Sequence, residues 1–333
     1  MPHPALADPR KRVVAVGVAV AAAVAVFVVA FAWPAVNLAP RDLPIGVVGP
    51  DAFVTVVEHR LDPEGFALTR YADADDATEA IRDREAYGAI LAGDPPTVLN
   101  APAASPAVAQ VLDAMAATLA GTPSTHATAV VTLPPDDPRG AGFAAGAFPI
   151  VLGALFGGIA SSLAFATGRH RLAAAATGAV LAGLVGALVL HTWLGVLPGG
   201  YLAVAGVLML GLFAGSAFTV GAYSLLGRAG LGLGALLIMV LGNPLSGAAS
   251  APELLPAGWG TLGQWLPPGA STSLLRSVAY FDGAAALRPA LVLSGWVAAG
   301  LLLAALAGRR TGGAQVAEAI GARESVDPVG TPR

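Results

Sequence analysis

The pattern of polar and apolar positions divides the chain into long stretches without a single charge and one stretch where charges crowd. Arg12 to Arg41, Arg139 to Arg169, Arg171 to Arg228, Arg228 to Glu253 and Arg288 to Arg309 each bound a run with no Asp, Glu, Lys or Arg. A helix rises ~1.5 Å per residue, so about 20 apolar residues cross a hydrocarbon core of ~30 Å. The run from Arg171 is long enough for two crossings and the other four fit one each. The pattern therefore predicts a polytopic α-helical membrane protein with six transmembrane helices, at about 13–33, 143–167, 172–197, 201–226, 229–241 and 289–308. The last five would form a bundle over 142–310. A cleaved leader is the competing reading of the first run, but its apolar stretch of about 20 residues exceeds the 7–15 of a leader's core and favours an anchor.

Between the first two runs the period changes. Residues 34–141 alternate short β-prone segments with amphipathic ones, which predicts a small α/β domain. Strands are expected at 44–49, 66–71, 87–92, 97–101 and 129–133. Helices are expected at 51–61 with Asp51 as N-cap, at 73–86, and from Ser105 to Leu119. After the fifth span, Asn243-Pro244 ends the helix and a connection covers 243–288. Within it, Ser271 to Phe281 reads as an interfacial helix with Leu274, Leu275 and Val278 toward lipid. The tail at 311–333 is polar and reads as disordered.

Composition agrees: 56% of the 333 residues are hydrophobic and 12% charged, with a mean hydropathy of +0.71. A soluble domain carries about 25% charged residues. Arginine placement sets the orientation. Arg10-Lys11-Arg12, Arg169 with Arg171, Arg228, and Arg309-Arg310 fall on one face of a six-span bundle, so that face, the N-terminal segment 1–12 and the tail are expected to be cytoplasmic. The acidic 34–141 domain and the 243–288 loop then lie outside the cell membrane.

Charge and motif content exclude several chemistries. The net charge is −3 with no basic cluster beyond Arg10–Arg12, so nucleic acid is not an expected partner. Cysteine is absent, which removes disulfides and thiolate metal sites. There is no H-E-x-x-H for a metal, and no aspartate in a predicted span for an aspartyl dyad. Ser216 and His191 are a serine–histidine pair on paper only, at opposite depths. The sole lysine is Lys11, so no phosphate-binding loop exists and any ATP chemistry must come from another polypeptide. Neither catalytic residues nor a cofactor are expected. No acidic or basic side chain lies in a predicted span, which disfavours ion-coupled transport. Glycines at helical spacing, Gly153 with Gly157, Gly211 with Gly215, and Gly230, Gly232 and Gly234, predict close helix packing.

The run GNPLSGAASAPELLPAGWGTLGQWLPPGASTSLLRSVAYFDG (242–283) resembles the connection before the last helix of ABC transporter type-2 permeases. One helix, an outer α/β domain opening with LPIGVVG (43–49), then five helices is similar to the plan of the phage-infection-protein-like branch. DDATEAIRDREAYGAILA (75–92) resembles that branch's helix–strand pair. The resemblance implies a permease-like subunit of an export system for an amphiphilic substrate, homodimeric in the lipid bilayer and driven by a separate ABC ATPase. The turn Arg169, His170, Arg171 is the candidate docking surface, and Asn243, Pro244 and Arg276 are a candidate functional motif of the outer loop. The alternative is an envelope scaffold or receptor whose outer domain binds a partner.

Overall fold

In the computed structural model, residues 9–121 and 125–324 are described, with side chains described as far as Arg310. Helix α1 (Pro9–Val36) leads into a five-stranded mixed sheet: β1 (Leu43–Val48), β2 (Phe66–Arg70), β3 (Gly88–Leu91), β4 (Thr97–Asn100) and β5 (Thr128–Ala129). The order is β2-β1-β3-β4-β5; β4 runs antiparallel to β3 and the other pairings are parallel. Helices α2 (Asp51–Arg60), α3 (Ala74–Arg82) and α4 (Pro106–Ala120) cover the sheet. Leu43, Ile45, Val47, Ile90, Val98 and Leu112 fill one core, and Ala77, Ile81, Ala89 and Leu99 another. Two helix starts follow from their caps: Asp73 accepts from the Asp75 and Asp76 amides, and Ser105 from Val108. Asp51 is not a cap. Pro50 holds that position without a side-chain bond, and Asp51 pairs instead with Arg70 at 2.5 Å. The last strand is also shorter than expected, because after Ala129 the chain keeps only single bonds, Val130 N–H to Asn100 and Ala103 N–H to Val131.

The remaining helices are α5 (Ala141–Ala164), α6 (Gly168–Ala187, continued by a π-helical turn to Trp193), α7 (Tyr201–Leu226), α8 (Arg228–Ala235, continued by a π turn to Gly242), α9 (Trp259–Gln264), α10 (Pro267–Tyr280) and α11 (Leu287–Glu324). Asp137 starts α5 by accepting from the Gly142 and Phe143 amides. Among the described residues five helices are long and apolar enough to cross a membrane: α1, α5, α6 with its π turn, α7 and α11. The helix expected as the fifth of the six spans, Arg228–Gly242, is too short to be counted with them. Three boundaries also move. Gly168–Arg171, expected as a turn, is the first turn of α6, and α6 with its π extension stops at Trp193, short of the expected Leu197. Helix α11 continues through the segment expected as a disordered tail as far as Glu324, while 325–333 lie outside the described residues.

Helix α7 is the axis of the bundle, with 72% of its most apolar window buried, whereas that of α1 is wholly uncovered. Packing along α7 shows how the short helix is completed. A Cβ on Gly230 would strike Ala222, one on Gly234 would meet Thr219 at 2.7 Å, and Ile238 lies against Gly215. Thus α8 climbs antiparallel along the C-terminal half of α7 and stops. Beyond that level Gly211 faces Ser271 of α10, and Leu274 and Leu275 join Val204, Val207 and Leu208 in one core. Helix α10 therefore fills the upper half of the slot that α8 leaves empty. This corrects the interfacial reading: Leu274 and Leu275 are buried and Val278 packs against the same core. A buried apolar face and a lipid-facing one carry the same sequence period, so periodicity alone does not separate them.

Candidate functional site: the cavity between the α/β domain and the bundle

The broken segment between α8 and α10 is irregular backbone packed against apolar helices, where every carbonyl needs a donor. Arg276 supplies donors. It is 3% exposed and donates to the carbonyls of Gly247 (3.1 Å), Ala248 (2.8 Å) and Ser250 (3.4 Å). Its guanidinium carbon sits 4.7 Å from the centre of the Phe143 ring. Asn243 accepts from the Ser246 amide and hydroxyl through its carbonyl, closing the turn after Pro244. Asn243 and Pro244 thus turn the chain at the end of α8, and Arg276 holds the segment that follows, three to six residues on.

Around this segment three elements meet. Arg84 of the domain donates to Ser273 O (2.9 Å) and Ser277 Oγ (2.5 Å) of α10, and lies over Phe281. Tyr87 donates to Glu253 Oε2 at 2.8 Å. Arg41 donates to the Leu254 and Leu255 carbonyls. Burial lowers the pKa of Arg84 from its ordinary value. Burial first, then the Glu253 carboxylate, raises that of Tyr87 above the usual phenol value.

These residues line a cavity of about 1340 Å³, larger than the ~300–1,000 Å³ of common small-molecule sites. Arg41, Arg84, Tyr87, Glu253, Gln264 and Arg276 form its polar end. Leu291, Val292, Trp296 and Ala299 of α11, with Phe218 of α7, form an apolar wall. Positions 288, 292, 295 and 299 repeat at helical spacing, so one face of α11 lines the cavity over about 16 Å.

The other expected site residues lie elsewhere. His170 bonds Thr167 (2.7 Å); Arg171 donates to Phe165 O (2.8 Å) and Ser224 Oγ (3.3 Å) and stacks on Tyr223. Both pin the start of α6, and Arg169 is exposed. Gly153 packs on Leu212 and Gly215 on Ala154, joining α5 to α7; Gly211 faces α10, and Gly157 only grazes Ser216. His191 bonds Leu197 O and packs near Tyr201, about 22 Å along α7 from Ser216, so the two form no pair. Arg41, Arg84, Tyr87 and Glu253 were not singled out from the sequence. The one signal was arginine in an acidic domain: residues 34–141 hold 15 acidic and 6 basic side chains.

No family model, curated protein or solved structure matches the chain.

Proposed function

We propose that this chain is a six-crossing protein of the cell membrane, with both ends cytoplasmic and the α/β domain outside. In this reading it serves as the homodimeric permease-like subunit of a type-2 ABC-like export system for an amphiphile, driven by a separate ATPase. The observation that carries the reading is the cavity itself. It has a polar end under the α/β domain and an apolar wall along α7 and α11, the two-character surface that an amphiphile needs. The resemblance of 242–283 to the type-2 permease connection supports the same reading, and so does α1, whose uncovered apolar surface suits lipid or a second copy.

Five long helices and six crossings are compatible because the Arg228 end of α8 sits beside the C-terminal end of α7, while Glu253 reaches Tyr87 in the domain. The chain traverses the bundle between these points by a short helix and coil. Reporter fusions after residues 100 and 256 should be active outside, and fusions after 170 and 228 inside. Opposite signals at 100 and 256 would sink the six-crossing topology. Efflux of a fluorescent amphiphile from cells should require both this chain and an ATPase that co-purifies with it. Uphill transport in liposomes by this chain alone, driven by a proton or sodium gradient, would refute the permease-subunit reading.

A further inference from the structure

We infer that the cavity between the α/β domain and the bundle is a binding site for an anionic amphiphile, its head at Arg84 and Arg288 and its hydrocarbon tail along α11; this rests on the permease-like reading and specifies its substrate class. Four arginines line the cavity, Arg41, Arg84, Arg276 and Arg288, against two carboxylates, Asp42 and Glu253. That balance opposes the local background. The α/β domain is strongly acidic, yet two of its six arginines, Arg41 and Arg84, turn to this one cavity.

The carboxylates present offset the arginines only in part: Glu253 acts on Arg84 through space but forms no ion pair with it. Among the described residues no carboxylate lies within 4.0 Å of Arg84, Arg276 or Arg288. Glu253 is held by the Tyr87 hydroxyl, and Arg84 satisfies one of its nitrogens with neutral oxygens of α10. A guanidinium withdrawn from water without a directly paired carboxylate, as Arg84 is, is costly, and a bound anion would offset that cost. The planar fork of arginine fits the two oxygens of a carboxylate or phosphate.

Arg288 lies at the start of α11, with its guanidinium against Trp265 at 5.6 Å from the ring centre, and among the described residues no hydrogen bond occupies it. From it the wall of Val292, Trp296 and Ala299 descends about 16 Å. This is about half of a ~30 Å hydrocarbon core, the depth of one leaflet. A charged head at the arginines and a single chain running down α11 would therefore satisfy both ends of the site. A cationic amphiphile would meet the net positive end and be repelled.

The test uses the full chain in phosphatidylcholine nanodiscs, with 11-(dansylamino)undecanoic acid and its methyl ester as probes. Trp265 and Trp296 line the cavity and report binding by energy transfer to the dansyl group. After correction for uptake by protein-free nanodiscs, the acid should bind about 10-fold or more tightly than the ester, as expected for charge-assisted hydrogen bonds. Arg84→Gln and Arg288→Gln should each remove most of that preference, bringing the affinity of the acid down toward that of the ester. Arg288→Gln covers the case in which Arg84→Gln fails to fold, since Arg288 is exposed. Equal affinities for acid and ester, or a preference for the acid that survives Arg288→Gln and any folded Arg84→Gln, would overturn the site. Acid preference lost in the variants of a protein that supports no efflux would keep the site and discard the permease reading. Efflux without acid preference would do the reverse.

Discussion

Gly221 of α7 and Gly300 of α11 meet backbone to backbone: a Cβ on Gly221 would fall on the Gly300 carbonyl, and one on Gly300 on the backbone of Ala217. No neighbouring side chain can swing aside, because the obstacle is main chain. Gly221→Ala should therefore force α7 and α11 apart and cost about 1–3 kcal/mol, read as a lower detergent-solubilised Tm. Gly206→Ala is the control, since a Cβ there meets nothing within 4 Å. It should leave Tm unchanged or raise it slightly, since Ala gains up to ~1 kcal/mol of helix propensity over Gly.

Arg276 carries a different load. Its replacement by Met keeps much of the volume but leaves the Gly247, Ala248 and Ser250 carbonyls without these donors in an apolar setting. Each unsatisfied group costs about 1–3 kcal/mol, so Arg276→Met should be among the most destabilising single changes outside the sheet. Arg276→Lys keeps the charge without the fork and should recover only part of the loss. A wild-type Tm in Arg276→Met would mean that the broken segment does not depend on this arginine.

The contrast between these two sites shows what was legible in the sequence. Charge-free runs locate helices well because excluding Arg and Asp is a composition effect, visible one residue at a time. The α/β alternation in 34–141 is legible for the same local reason. The break at Asn243-Pro244 is also visible, but the return of α10 into the bundle is not: Leu274 and Leu275 have one period whether they face lipid or Val204 and Leu208. The short α8 followed from that, since its missing half is supplied from beyond the break. Spaced glycine pairs pointed to Gly153, Gly211 and Gly215, whereas the Gly221–Gly300 contact joins single glycines on helices far apart in the chain. The cavity draws on the α/β domain, the 252–265 segment, α7, α10 and α11, and no local pattern gathers those residues.

Tyr87 predicts an alkaline limb. Its phenol has a pKa above the usual value in the folded chain, through burial and the Glu253 carboxylate. The unfolded phenol releases its proton near pH 10 while the folded one holds it, so the full contribution of Tyr87 is present below about pH 10 and declines as pH rises beyond it. The decline approaches ~1.4 kcal/mol per pH unit for a single group. Tyr87→Phe should cost about 1 kcal/mol at pH 7 for the lost bond to Glu253, read as a modest drop in Tm, and should flatten the Tm profile between pH 10 and 11. Parallel profiles for the two proteins in that range would contradict the assignment.

Arg169 and Arg171, which the sequence treats alike as a candidate docking surface, differ in the structure. Arg171 is committed to its own fold: it reaches Phe165 O and Ser224 Oγ and stacks on Tyr223, tying α6 to the end of α7. Arg171→Ser should thus disturb the bundle, and a loss of ATPase association in that variant would say nothing specific about docking. Arg169 is exposed on the same first turn of α6 and is the side chain free to meet a partner. If a separate ATPase docks here, Arg169→Ser should reduce its co-purification and amphiphile efflux together, with Tm and membrane insertion unchanged. A charge-reversing Arg169→Glu should reduce both further, because a complementary acidic surface on the partner would then be repelled. Raising salt should weaken wild-type association in the same direction, since an exposed charge contact is screened within about 10 Å at 0.1 M. Full co-purification of the ATPase with Arg169→Glu would place its docking surface away from this turn.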